Sequence, residues 1–150
     1  MPKAVSFLAG FFLLIATTTG GAAEAAALTC HGAQKPELVA QLLFGRDIGH
    51  RLGVSEAAWE EFLAGEITPR FPEGLTVINA TGQWRDPSGW QVRRDPSGWQ
   101  VRREPSKIVI IVLPGKGDDQ ARVDAIVAAY KRRFHQQSVG VIVQPACASF

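Results

Sequence analysis

A chain of 150 residues, 46% apolar and 20% charged, supports one ordinary globular core and is too short for two. Its formal net charge of +2 is far below what nucleic acid or an anionic membrane surface demands of a partner. Catalytic signatures are missing: there is no G-x-S-x-G, no P-loop, no H-E-x-x-H and no G-x-G-x-x-G.

The first 27 residues read as a secretory signal peptide, with Lys3, an apolar run from Ala4 to Ala16, and A-x-A sites at Ala23 to Ala25 and Ala25 to Ala27. The run falls short of the roughly 20 residues a spanning helix needs, so no stable membrane insertion is expected after cleavage. The domain division is therefore 1–27 for the leader and 28–150 for a single mature domain, secreted or periplasmic. Lipidation at Cys30 is the lesser alternative, because Leu28 sits one place too late and Thr29 is not the small residue such a site prefers. Export makes the even cysteine count a candidate disulfide between Cys30 and Cys147. Two cysteines and the scattered His31, His50 and His135 lack metal-ligand spacing, so neither metal nor cofactor is expected.

Hydrophobic periods then alternate along the mature chain. "ELVAQLLFGRD", Glu37 to Asp47, is apolar and ends at Gly45, as a strand would. "SEAAWEEFLAGEITPRFP" predicts a helix with Ser55 as N-cap, Trp59, Phe62, Leu63 and Ile67 on one face, and Pro69 and Pro72 as stops. Gly74 to Trp84 reads as a second strand. "SKIVIIVLPG" reads as a third, buried on both faces because Ile108 to Leu113 is unbroken. Asp118 to Phe134 is the strongest helix, with acids in its first turn, Lys131, Arg132 and Arg133 in its last, and a stripe of Val123, Ile126, Val127, Tyr130 and Phe134. "SVGVIVQPACASF" supplies a fourth strand.

The order β-α-β-β-α-β predicts a ferredoxin-like α+β two-layer sandwich, an antiparallel sheet with two helices on one face. Strands one and three sit centrally, as their continuous apolar character suits. The start of strand one then lies beside the end of strand four, a second argument for joining Cys30 to Cys147.

Between strands two and three, a nine-residue unit occurs twice, Arg85 to Arg93 and Arg94 to Arg102. Each copy carries "DPSG", a type I turn pattern able to close the hairpin. Two successive reversals would run the third strand parallel to the second, which a short loop forbids, so one copy is looped out or lengthens an arm. An odd insertion inside a strand would flip every later side chain to the other face, so the duplication belongs at the tip.

With one copy removed, "TGQWRDPSGWQVRREPSKIVIIVL" together with "LLFGRD", "VSEAAWEEF", "TPRFPEGLTV", "YKRRF" and "CASF" resembles the secreted bacterial family catalogued as domain of unknown function 3574. The resemblance spans about Leu38 to Phe150. It implies a small exported α+β protein and brings no activity or substrate. The nine extra residues depart from the family pattern.

The topology collects a polar cluster at one sheet edge: Arg46 and Asp47, Trp84 and Arg85, Arg103, Glu104, Ser106 and Lys107, with His135 and Ser138 approaching from the second helix. Its Arg and Lys groups suit a carboxylate or phosphate, so the ligand-binding candidates are Arg46, Asp47, Trp84, Arg85, Glu104, Lys107 and His135. The structural alternative pairs Glu104 with Arg85 or Lys107 and leaves Trp84 as a cover. Elsewhere, structural roles lead. His50 reads as a loop residue, Arg70 as bonding the last carbonyls of the first helix, Tyr130 as core with its hydroxyl at the rim, and Trp90 and Trp99 as copies within the duplicated turn.

Two function classes remain. The first is a non-enzymatic envelope or extracellular binding module. The second is a small enzyme of the dimeric ferredoxin-like kind acting on an anionic small molecule through Arg46, Glu104 or His135; its catalytic residues are not legible. Alternation in "IVIIVL" also leaves one apolar sheet face without a helix above it, which points to a homodimer through that face or, within one chain, to cover by the Cys30 tail or the enlarged hairpin.

Overall fold

The computed structural model describes residues 28–49, 51–85 and 101–150, with the backbone alone for Trp84, Arg85, Val101 and Arg102. The signal-peptide expectation, both "DPSG" turns, His50, Trp90 and Trp99 lie outside the described residues.

Strand β1 (Lys35–Gly45) leads through a two-residue ribbon, Asp47–Ile48 against Arg51–Leu52, to helix α1 (Glu56–Phe62). Ser55 caps α1 by accepting from the Ala58 N–H at 3.2 Å. The expected helix runs on to Ile67, but its second half is a π-helical turn, Leu63–Ile67, in which the Thr68 N–H reaches the Leu63 carbonyl at 2.9 Å. The wider turn keeps Ile67 buried with Trp59 and Phe62, and Gly65 lies within it. Then follow β2 (Thr76–Arg85), β3 (Val101–Leu113), α2 (Asp119–Phe134) and β4 (Gly140–Ala148).

The sheet order is β2-β3-β1-β4 with every neighbouring pair antiparallel, so the two most apolar strands are central, as expected. β3 starts at Val101 rather than Ser106, because its polar first half pairs with the end of β2, Gly82 opposite Glu104 and Arg85 opposite Val101. A stretch with a proline and no apolar alternation carried no strand signal of its own. The last described pair of this hairpin is Arg85 opposite Val101, and both "DPSG" tetrapeptides fall in the sequence between those two residues.

Strand alternation sorts the side chains into two faces. Ala40, Leu42 and Phe44 of β1 and Val109, Ile111 and Leu113 of β3 are buried under the helices. There they meet Trp59, Phe62 and Ile67 from the first helical segment and Val123, Ile126, Tyr130 and Phe134 from α2. Phe44, Trp59, Phe62 and Tyr130 pack as tilted or edge-on rings, with Phe44 and Tyr130 centroids 4.7 Å apart. Val39 and Leu43 of β1 and Ile108, Ile110 and Val112 of β3 lie on the opposite face, partly exposed. On the edge strand β4, Val141 and Val143 belong to the helix side by register, yet they are 40% and 41% exposed because the helices do not extend over that edge.

Cys30 and Cys147 are joined, with Cα atoms 5.5 Å apart across a sequence separation of 117. Pro36 pairs with Cys147 in the register, which is the meeting of strand start and strand end that the topology implies. No helix among the described residues is long and apolar enough to cross a membrane.

Candidate functional site

The polar cluster forms where β1 ends and β3 has yet to turn apolar. Register sets Asn79 of β2, Lys107 of β3 and Phe44 of β1 side by side, all facing the helices. Lys107 thus takes the place of an apolar residue in the series 107, 109, 111, 113, and it is 3% exposed. A cation so placed requires compensation. It donates from Nζ to Asn79 Oδ1 at 2.5 Å and to Glu56 Oε1, and it lies 5.9 Å from the Trp59 ring centroid.

Arg46, the first residue past β1, converges on the same carboxylate. Its Nη1 stands 2.9 Å from Glu56 Oε2, while its Nε donates to the Val54 carbonyl at 2.9 Å. The Arg46 carbonyl in turn accepts from the Gly53 and Val54 N–H groups, so the ribbon is folded back around this one arginine. The side chains of Arg46 and Lys107 are only 11% and 4% exposed, whereas that of Glu56 is 53% exposed. The Lys107 ammonium, first by its hydrogen bond and then by its charge, together with Arg46, holds the Glu56 carboxyl below its ordinary range despite some desolvation.

Glu104 lies elsewhere. Gly45 alternates with Phe44 and so turns its Cα hydrogens to the face away from the helices, and the Glu104 carboxyl packs directly on that spot. Its Oε2 accepts from the Asp47 N–H at 3.1 Å, and Ser106 Oγ donates to its carbonyl at 3.3 Å. Residues 104 and 107 are three apart on one strand, so they face opposite ways. The expected pairing of Glu104 with Lys107 is therefore corrected: the partner of Lys107 is Glu56, across the sheet–helix interface.

Tyr130 bridges the two halves through the backbone. Its hydroxyl is buried rather than at the rim, and it donates to the Gly45 carbonyl at 2.8 Å. Burial raises its phenol well above the ordinary range, with Arg46 opposing and Glu104 adding to the effect. Gln136 Nε2 donates to the Asp47 carbonyl at 2.8 Å, tying the end of α2 to the same corner.

Of the sequence candidates, then, Arg46 and Lys107 come together on the helix side, and Glu104 and the Asp47 backbone come together on the other. His135 is exposed and ends α2 in a left-handed conformation, φ 51°. Arg103 and Ser138 are exposed as well. The Trp84 and Arg85 backbones continue β2, opposite Arg102 and Val101. Glu56, Asn79 and Tyr130 were missed as site residues. The signal available for Glu56 was the lysine itself, since a lysine at a core-facing strand position calls for a carboxylate from whichever element covers it.

At the opposite end of the sheet, Arg70 bonds the Glu66 carbonyl at 2.5 Å, as expected of it. Arg122 of α2 donates to the Arg70 carbonyl at 2.7 Å, pairs with Asp119 and stacks 4.7 Å over Phe71, which fastens this turn to the second helix.

Among solved structures, a phage SAM lyase in complex with S-methyl-5'-thioadenosine is similar, with a TM-score of 0.53 and 18% identity, over 84% of this chain and 97% of the lyase chain. A phage SAM lyase in the apo state matches with the same TM-score and identity, over 83% of this chain and 95% of that one. At this identity the likeness is one of fold, the ferredoxin-like α+β arrangement. No curated relative matched the sequence. A family model described as a protein of unknown function, DUF3574, matches residues 39–150, and the chain belongs to that family.

Proposed function

We propose that this is an exported binding module that takes an anionic small ligand, a carboxylate or phosphate, at the helix-side corner formed by Arg46 and Lys107. One observation carries the reading: two nearly buried cations share a single carboxylate, Glu56, which is itself half exposed. Glu56 is held by contacts that an incoming anion reproduces. A ligand oxyanion that displaces it finds a planar guanidinium and an ammonium already positioned, with their desolvation already borne by the fold. Export is supported by the leader pattern in residues 1–27 and by the Cys30–Cys147 disulfide, a bond suited to an oxidising compartment.

Native mass spectrometry of the exported protein for copurifying small anions, followed by calorimetric titration with inorganic phosphate and citrate, tests the reading. Glu56→Gln vacates the internal anion and is expected to tighten binding, while Lys107→Met weakens it. A purely structural network would show no titratable anion binding in the wild type or in Glu56→Gln, and that result overturns the proposal.

A second reading, an enzyme, is favoured by the fold shared with a SAM lyase over 84% of this chain. Its test is direct: incubation with SAM, monitored for S-methyl-5'-thioadenosine. Product formation lost in Glu104→Gln with the fold retained would establish the enzyme and displace the binding module.

A further inference from the structure

The sheet face turned away from the helices carries apolar side chains that the described residues leave partly exposed. We propose that it is the docking surface for a second copy of this chain, laid sheet against sheet. Val39, Leu43, Ile108 and Ile110 form its centre, partly exposed, and Ile78 and Ile142 extend it to the two edge strands at 42% and 46% exposure. Strand alternation places no ionisable side chain on this face between Glu37 at one end and Glu104 at the other. Its polar side chains are neutral, Gln41 near the centre and Thr76 and Gln144 on the edge strands, so a charged ligand or lipid headgroup finds no ion partner there, and a largely apolar, uncharged surface is the chemistry that matches it.

The dimensions fit a stable pair. β1 has 11 residues, and at about 3.3 Å per residue and about 4.8 Å per strand the whole four-stranded face, apolar centre and charged ends at Glu37 and Glu104 together, measures roughly 36 by 19 Å. That is on the order of 700 Å² in projection, close to the roughly 800 Å² that each partner contributes to a standard interface. Two such faces pack about 10 Å apart in aligned sheet sandwiches, and a face that meets its own copy closes with two-fold symmetry.

Among the described residues, the segment that precedes β1 is not the cover. Cys147 alternates with Pro145 and Val143 and so belongs to the helix side, where its disulfide holds Cys30. Residues 31–36 are exposed rather than packed over the sheet. The dimer surface lies across the sheet from Arg46, Glu56 and Lys107, so the anion site and the interface stand or fall separately.

Sedimentation equilibrium of the purified protein decides. The expected result is a dimer whose dissociation constant rises about 100-fold or more in Ile78→Lys and Ile142→Lys, since each change places a charge in both halves of a symmetric interface. Both residues sit on edge strands and are already part exposed, so the variants keep the wild-type circular dichroism and disulfide. A monomer at tens of micromolar, or a dimer indifferent to both changes, overturns the proposal. So does a monomer that associates only when Arg94 to Arg102 are deleted, which would assign the face to the hairpin.

Discussion

The Glu104 carboxyl rests on the Cα of Gly45, in the space where any other residue would carry its Cβ. A Cβ built there would stand 2.8 Å from Glu104 Cδ, closer than side chains tolerate. A side chain at position 45 therefore obliges the Glu104 carboxyl, the end of a flexible side chain, to swing aside and give up its bond from the Asp47 N–H. Gly45→Ala is expected to destabilise the protein by about 1 kcal/mol, chiefly from that displaced hydrogen bond. Glu104→Ala in the same chain removes the clash, so the two changes together should be less damaging than their sum in a denaturant double-mutant cycle. Additive losses would contradict the packing.

Glu56 gives the fold an acid-sensitive component. Its carboxyl is held below the ordinary value of 4.5 by Lys107 and Arg46. A folded-state value below the unfolded one means stability that is present above the unfolded value and is lost as pH falls through the folded one. Melting curves from pH 6 down to pH 3 should show the wild type losing more melting temperature than Glu56→Gln. Parallel pH profiles would show that the carboxylate does not contribute.

The Cys30–Cys147 bond closes a loop with a sequence separation of 117, for which the chain-entropy account gives roughly 4–5 kcal/mol. Reduction, or the double change to alanine, should lower the denaturation midpoint and steepen the cooperative slope, because the released unfolded chain is less compact and exposes more surface. Thiol titration of the unreduced, unfolded protein should find no free cysteine; two reactive thiols would contradict the bond.

Deleting Arg94 to Arg102 leaves Val92 and Arg93 to take the places of Val101 and Arg102, because the repeat units are identical. The pairing of Arg85 with its opposite valine is then preserved. Shortening the loop should change stability by less than about 1 kcal/mol, in the favourable direction. Loss of folding in the deletion variant would show that the second copy is structural.

The sequence by itself determined the element order, the central strands and the split of "IVIIVL" into a buried set and an open set, because strand and helix periods are local properties. It determined the disulfide as well, once topology brought the strand ends together. Only the tertiary structure decided which charges meet. Lys107 and Glu56 are 51 positions apart and face each other only because α1 covers that corner of the sheet. Glu104 stands three residues from Lys107, yet the sheet separates them, so the single polar cluster expected at this edge became two sites on opposite faces. The π-helical turn after Phe62 was likewise invisible in the pattern, since Trp59, Phe62 and Ile67 suit an α-helical face too. Nor does spacing say that Trp59 and Phe62 meet Phe44 and Tyr130 ring to ring, since that depends on where the sheet and α2 lie.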